Sequence, residues 1–230
     1  MIFDLTANSG KPYKVPVLDS GYPANAAVVI QNSVTCKVVI ATAGNPANYT
    51  YQWYKDGSAV SGATTDTYTF TPEKVGTPTL YCEVTNAAGT VASRTATITV
   101  NPLYLYNNGD QCTAVTGGWT NNSNPLYAKD TSNGEVIPYT NSKVPSSKYS
   151  KLCIEYMYAS KESSGSSSAS LRLVSKTGSS PTIYASVSLD KSELNVKKTA
   201  SVDISSVTVD AYLKYAVYYA KTYTYRIWFE

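Results

Sequence analysis

The sequence predicts an all-β protein made of two successive sandwiches, and three observations predict it. Only 15% of its 230 residues are charged, against about 25% in an average soluble domain. Ser, Thr, Asn and 21 tyrosines fill the difference, and β-branched and aromatic side chains suit a pleated, half-buried surface. Apolar and polar residues alternate with a period of two through most of the chain, punctuated by Gly, Pro and Asn turn residues. The length suits two domains of about 100 to 150 residues each.

Residues 1–24 read as an extended N-terminal arm. Pro12, Pro16 and Pro23 with Gly10 and Gly21 interrupt every candidate helix or central strand, because proline lacks the backbone donor and glycine punctuates regular structure. A first strand followed by a loop is the other reading.

Residues 25–101 form the first sandwich. Val34, Cys36, Val38 and Ile40 fall on one face of a predicted strand, with Thr35, Lys37 and Val39 on the other. Gly44-Asn45-Pro46 breaks that run. Tyr49, Tyr51 and Trp53 then alternate inward, and Lys55-Asp56-Gly57 closes the strand with a hairpin-type turn. Tyr68 and Phe70 mark the next inward face, and Leu80, Cys82 and Val84 the one after it. Asn86-Ala87-Ala88-Gly89 turns into a last strand ending at Ile98 and Val100.

Cys36, the run Tyr51-Gln52-Trp53-Tyr54-Lys55-Asp56-Gly57, Thr67-Tyr68-Thr69-Phe70 and Tyr81-Cys82-Glu83-Val84-Thr85-Asn86 with Gly89 resemble the Cys…Trp…Cys pattern of immunoglobulin-like domains. The likeness is to the short versions in bacterial and bacteriophage surface proteins, and it covers about a third of the chain. It implies that Trp53 packs on a bridge between Cys36 and Cys82. Two buried thiols are the alternative. One residue departs from the pattern: Leu80 occupies the place of the corner tyrosine, two before the second cysteine, with Tyr81 beside it.

Asn101-Pro102 marks the boundary, since proline ends a strand that can no longer donate to its neighbour. Residues 102–230 open with Leu103-Tyr104-Leu105-Tyr106 and turn at Asn107-Asn108-Gly109-Asp110. Alternation returns at Leu152, Ile154, Tyr156 and Tyr158, at Leu171 and Leu173, and from Ile183 to Leu189. The chain closes with Leu213 to Tyr219 and with Tyr223, Tyr225, Ile227 and Phe229, while Ser163 to Ser170 read as a flexible loop. A strand at each end and antiparallel spacing predict a jelly-roll-like β-sandwich. The final Tyr225-Arg226-Ile227-Trp228-Phe229-Glu230 strand and Gly117-Gly118-Trp119 resemble jelly-roll modules of bacteriophage structural proteins and carbohydrate-binding modules.

Chemistry is narrowly bounded. The chain has no histidine, which removes Ser-His-Asp and Cys-His nucleophile systems and the commonest zinc ligand together. The 16 acidic residues are dispersed and no pair stands out for glycoside hydrolysis. The expectation is a non-enzyme with no cofactor and no metal; Asn107, Asn108 and Asp110 offer oxygen ligands, but a tight turn needs the same residues. Lysines are scattered, so no basic stripe predicts a nucleic-acid partner, and no apolar run is long enough for a membrane span. The start Met1-Ile2-Phe3-Asp4-Leu5 shows no secretory pattern.

Binding candidates are aromatic. Trp119 follows two glycines and precedes Thr120-Asn121-Asn122-Ser123-Asn124, so a ring for stacking on a sugar stands beside amides for its hydroxyls; Tyr127 is a further glycan-contact candidate. Plugging the sandwich end is the competing role for Trp119. Tyr215, Tyr218, Tyr219, Tyr223 and Tyr225 cover both parities of their strands, so some must face outward as an interface. Cys112 and Cys153 form a second candidate pair, with Cys153 facing away from Leu152 and Ile154.

The resemblances imply a bacteriophage virion structural or decoration protein, made in the host cytoplasm and displayed on a head or tail surface. It would contact other virion subunits or itself, for adhesion or particle stabilisation. The alternative is a carbohydrate-binding adhesion module of a bacterial secreted or surface protein, extracellular, with cell-surface or mucus glycans as partners.

Overall fold

The computed structural model describes residues 10–109, 112, 115, 125–130, 138–161, 167–177 and 180–230. The chain divides into two compact units, Met1–Asn101 and Pro102–Glu230, and both are β-sandwiches.

The first unit contains β1 (Val17–Leu18), β2 (Ala26–Val29), β3 (Val34–Lys37), β4 (Ile40–Thr42), β5 (Thr50–Lys55), β6 (Ser58–Ala59), β7 (Thr67–Phe70), β8 (Thr79–Asn86), β9 (Gly89–Ala92) and β10 (Ala96–Asn101). One sheet has the order β2-β10-β8-β5-β6, with β9 on β8; β3 pairs with β7 and β1 with β4. Strands β2 and β10 run parallel, with Val28 opposite Val100. Strand β8 alternates strictly, burying Leu80, Cys82 and Val84. These pack with Trp53, Cys36, Phe70 and Ile98 into the core. Leu80 has no hydroxyl for the corner hydrogen bond and is simply core, while Tyr81 points outward and stacks on Tyr54 at 4.7 Å.

Two expectations change here. Residues 10–24 are not a free arm: Val17 pairs with Thr42 and Leu18 with Ile40, and Lys14 bridges to Asn45. Asn86 clamps this segment, donating to the carbonyls of Lys14 at 2.8 Å and Pro46 at 3.0 Å. Gly44 is needed there, because a Cβ would lie 2.5 Å from the Lys14 carbonyl oxygen. Residues 1–9 lie outside the described residues. The run from Val34 to Ile40 is also not one strand. It leaves β7 after Lys37 and joins β1 at Ile40, with the Val39 carbonyl accepting from Asp19 N–H in between.

The second unit contains β11 (Leu103–Asn107), β12 (Leu126–Asp130), β13 (Lys151–Lys161), β14 (Ser168–Val174), β15 (Ile183–Ser188), β16 (Lys197–Asp203), β17 (Tyr212–Tyr218) and β18 (Ala220–Phe229). A five-stranded sheet, β11-β18-β13-β16 with β12 also on β18, faces the three-stranded sheet β15-β14-β17. Leu105, Leu126, Leu152, Ile154, Tyr156, Leu171, Leu173, Leu213, Ile227 and Phe229 fill the space between them.

Here too the sequence reading needs correction. Ser168–Ser170 belong to β14, paired with Tyr218–Ala216 of β17, so that end of the serine run is strand; residues 162–166 lie outside the described residues. Strand β16 went unforeseen because its inward residues, Lys198, Ala200 and Val202, make a faint apolar signal between Lys197 and Asp203. Tyr223, Tyr225, Ile227 and Phe229 do not share one face, since Ile227 and Phe229 are core while Tyr223 and Tyr225 are half-exposed.

Candidate functional site

The parity switch in β18 builds the most distinctive surface of the second unit. Against β13, Glu155 pairs with Arg226 but Tyr156 pairs with Thr224, leaving Tyr225 as the extra residue of a bulge. A bulge inserts one residue and reverses the alternation beyond it. Before it, Lys221 and Tyr223 face outward; after it, Arg226 and Trp228 do so. Neighbouring strands add to the same face. Tyr127 of β12 stands opposite Tyr223, and Tyr104 of β11 opposite Trp228.

The result is a row of aromatic rings across the outer face of the five-stranded sheet. Tyr104 and Trp228 have ring centroids 6.4 Å apart, and Tyr127 and Tyr223 5.5 Å apart. Trp228 lies five positions after Tyr223, about 15 Å along a strand, so the two pairs are spaced for an extended ligand. Polar groups are interleaved with the rings. Lys221 Nζ lies 5.3 Å from the centroids of both Tyr127 and Tyr223, and its hydrogen bond to Tyr223 raises its pKa. Lys197 Nζ sits 3.8 Å over Tyr225, a cation–π arrangement. Arg226 donates to Glu155 at 2.8 and 3.1 Å. That fork, aided by Lys197, holds the Glu155 carboxyl below the usual range despite partial burial. Trp228 Nε1 donates to Glu230 at 2.9 Å, which fixes the indole.

Of the candidates read from the sequence, Tyr127 is in this row. Trp119 and Asn121 lie outside the described residues. Trp53 and Leu80 are fully buried in the first unit, where Trp53 Nε1 donates to the Thr65 carbonyl at 2.9 Å. Among the described residues no disulfide is formed: Cys36, Cys82 and Cys153 are buried thiols and Cys112 is a half-buried one. Burial raises the Cys36 thiol and pushes Cys82 up to about 11. Cys153, opposite Trp228 in the sheet, is pushed up to about 12 by burial and then by the Glu230 charge.

Sequence reasoning missed Tyr104, Trp228, Lys221, Lys197 and the Glu155–Arg226 pair. The tyrosines of the last strand carried the available signal, but strict alternation places Tyr223 and Trp228 on opposite faces, and only the bulge unites them.

Comparison with known proteins bears on the first unit. Residues 16–100 match the family model of the immunoglobulin domain. The first unit is an immunoglobulin-like β-sandwich. No curated protein matches the chain. Among solved structures, the chain is similar to carbohydrate-binding modules of the β-sandwich super family, at 14% identity and a TM-score of 0.32 over 95% of this chain and 98% of that one. It is also similar to the tandem immunoglobulin repeats of Dlar, at 16% identity and TM-score 0.31 over 39% and 50%. A third is a quinonprotein alcohol dehydrogenase-like protein from Bacteroides thetaiotaomicron, at 16% and 0.31 over 41% and 23%. The chain thus spans half or less of the last two structures. Similarity at this level carries no argument about function, which rests on the side chains.

Proposed function

We propose that the chain is a non-catalytic, extracellular adhesion module that binds glycans on the outer face of the five-stranded sheet. The row Tyr104, Trp228, Tyr225, Tyr223 and Tyr127 carries this reading. Aromatic rings present flat apolar area to the C–H face of a pyranose, while tyrosine hydroxyls and the neighbouring Lys221, Arg226 and Glu155 supply donors and acceptors for its hydroxyl groups. The separation of the two ring pairs favours an oligosaccharide over a single sugar. Arg226 and Glu155 hold each other in place between them, which preorganises the polar contacts. The immunoglobulin-like unit serves as the companion scaffold of the adhesin.

A glycan array probed with the wild-type chain, Trp228→Ala and Tyr223→Ala tests the proposal. Binding by wild type that drops in both variants supports it. Absence of any bound neutral or acidic glycan, or equal binding by all three proteins, removes it. Display on a virion, the reading drawn from the phage-type resemblance, concerns where such a module is mounted; immunogold label absent from purified particles would dismiss that location.

A further inference from the structure

The opposite sheet of the second unit carries a separate polar groove of about 460 Å³, within the roughly 300–1,000 Å³ typical of small-ligand sites. Its floor is made by side chains on the outer face of β14 and β15. Ser170 stands opposite Ser188 and Arg172 opposite Ser186, and on the other side Lys214 of β17 stands opposite Arg172. Such a carpet of small hydroxyls leaves room for a ligand and offers it both donors and acceptors.

The charges around the groove are unbalanced. Arg172 Nε donates to Ser170 Oγ at 2.8 Å, a neutral partner, and the rest of its guanidinium makes no hydrogen bond among the described residues. Lys191 Nζ donates to the Ser167 backbone carbonyl, also neutral. The acid on the rim, Asp190, is engaged away from Arg172 and Lys191: it binds Lys198 Nζ at 2.6 Å, a cation it shares with Glu193 at 3.1 Å, and accepts from Ser192 N and Oγ at 2.8 and 2.7 Å. Among the described residues no carboxylate pairs with Arg172, Lys191 or Lys214. An arginine fork beside a lysine, over a hydroxyl floor, matches a planar or tetrahedral anion attached to a polyhydroxylated ring. Tyr218, opposite Ser168, and Tyr184, two residues before Ser186, are 45% and 40% exposed and mark the two ends along the strands.

We propose that this groove is a second saccharide site, selective for an acidic sugar whose carboxylate or sulfate is held by Arg172 while Ser170, Ser186 and Ser188 bond its hydroxyls. It rests on the glycan-binding reading for the class of ligand, yet it shares no residue with the aromatic face, so the two can fail separately.

Calorimetric titration of the full chain tests it with three probes: a hyaluronan hexasaccharide carrying carboxylates alone, its carboxyl methyl ester, and a sulfated carrageenan hexasaccharide without uronate. The expected result is binding of the hyaluronan probe, loss with the ester, and weakening in added salt. Arg172→Ala is expected to weaken binding about 10- to 100-fold, with Arg172→Lys in between. Binding of carrageenan in place of hyaluronan, again lost in Arg172→Ala, assigns the anion as sulfate and keeps the groove. Equal binding of acid and ester, an Arg172→Ala or Arg172→Lys protein that binds like wild type, or no binding of any probe overturns it. Loss of neutral-glycan binding in Trp228→Ala reports on the aromatic face alone.

Discussion

Glu155 and Arg226 are joined by two hydrogen bonds, of 2.8 and 3.1 Å, between adjacent strands on the outer face of the five-stranded sheet. The pair lies at the bulge of β18, where the strand changes which residues it shows to solvent. Its two charges therefore order the surface between the two aromatic pairs.

The pair makes stability pH-dependent in a defined direction. Arg226 stays charged throughout, and Glu155 titrates below its ordinary value in the folded chain, so the folded state binds fewer protons than the unfolded one. The contribution is complete above the unfolded glutamate range and declines as pH falls through the folded value. Arg226 is 41% exposed, so solvent screens the pair and the effect is modest. Thermal melts from pH 7 to pH 3 are expected to show a shallower acid decline in Glu155→Gln than in wild type. The decline persists in part, because Asp190 and Asp203 are also lowered; identical slopes would show that the pair contributes nothing.

Truncating single rings should separate binding from folding. Trp228→Ala and Tyr223→Ala each remove a half-exposed ring, and a stacking contribution of about 0.5 to 1.5 kcal/mol corresponds to affinity losses of roughly 2- to 12-fold. Titration with the best glycan from the array, alongside circular dichroism, is the measurement. A loss of affinity with an intact β spectrum is expected.

Thr222 offers a case in which losing a hydrogen-bonding group helps. The hydroxyls of Tyr158, Tyr215, Thr222 and Thr224 are buried with no hydrogen bond of ordinary geometry among the described residues, those of Thr222 and Thr224 only facing that of Tyr215, and a buried polar group without a well-made bond is unfavourable. Thr222→Val keeps the shape, fits the strand, and should raise stability by up to about 1 kcal/mol. A fall in the denaturant midpoint would show that the hydroxyl is satisfied.

Trp53 tests the first core. It is fully buried and directly opposite Cys82 in the sheet, and Trp53→Ala is expected to destabilise the first unit by about 3 to 5 kcal/mol. The Trp228→Ala variant, by comparison, should leave the melting of that unit unchanged.

The cysteines can be read by alkylation. Cys82 and Cys153, pushed up to about 11 and 12, and the buried Cys36 should resist iodoacetamide at pH 8 in the folded chain and react in denaturant without reductant. Mass spectrometry distinguishes this from the bridged form implied by the immunoglobulin-like pattern, in which Cys36 and Cys82 stay unmodified in denaturant until reduced.

Much of the fold needed only local pattern. The alternation through Leu80, Cys82 and Val84, and through Leu152, Ile154, Tyr156 and Tyr158, places each of these side chains in a core. A period of two is a property of the strand itself and requires no knowledge of its partners. Segments whose inward residues are small or polar were correspondingly hidden. Strand β16 and Ser168–Ser170 become strands because β13 and β17 pair with them.

The aromatic face is the opposite case. Tyr223 and Trp228 are five residues apart, an odd spacing that strict alternation sends to opposite sides of a sheet. One extra residue at Tyr225, where β18 shifts register against β13, puts them on the same side. Tyr104 and Tyr127 then arrive from strands about a hundred positions earlier, by pairing alone. The sequence by itself determined that this chain would be two β-sandwiches with surplus tyrosine; which rings share a surface was decided by register, a property of strand pairs that no single strand carries.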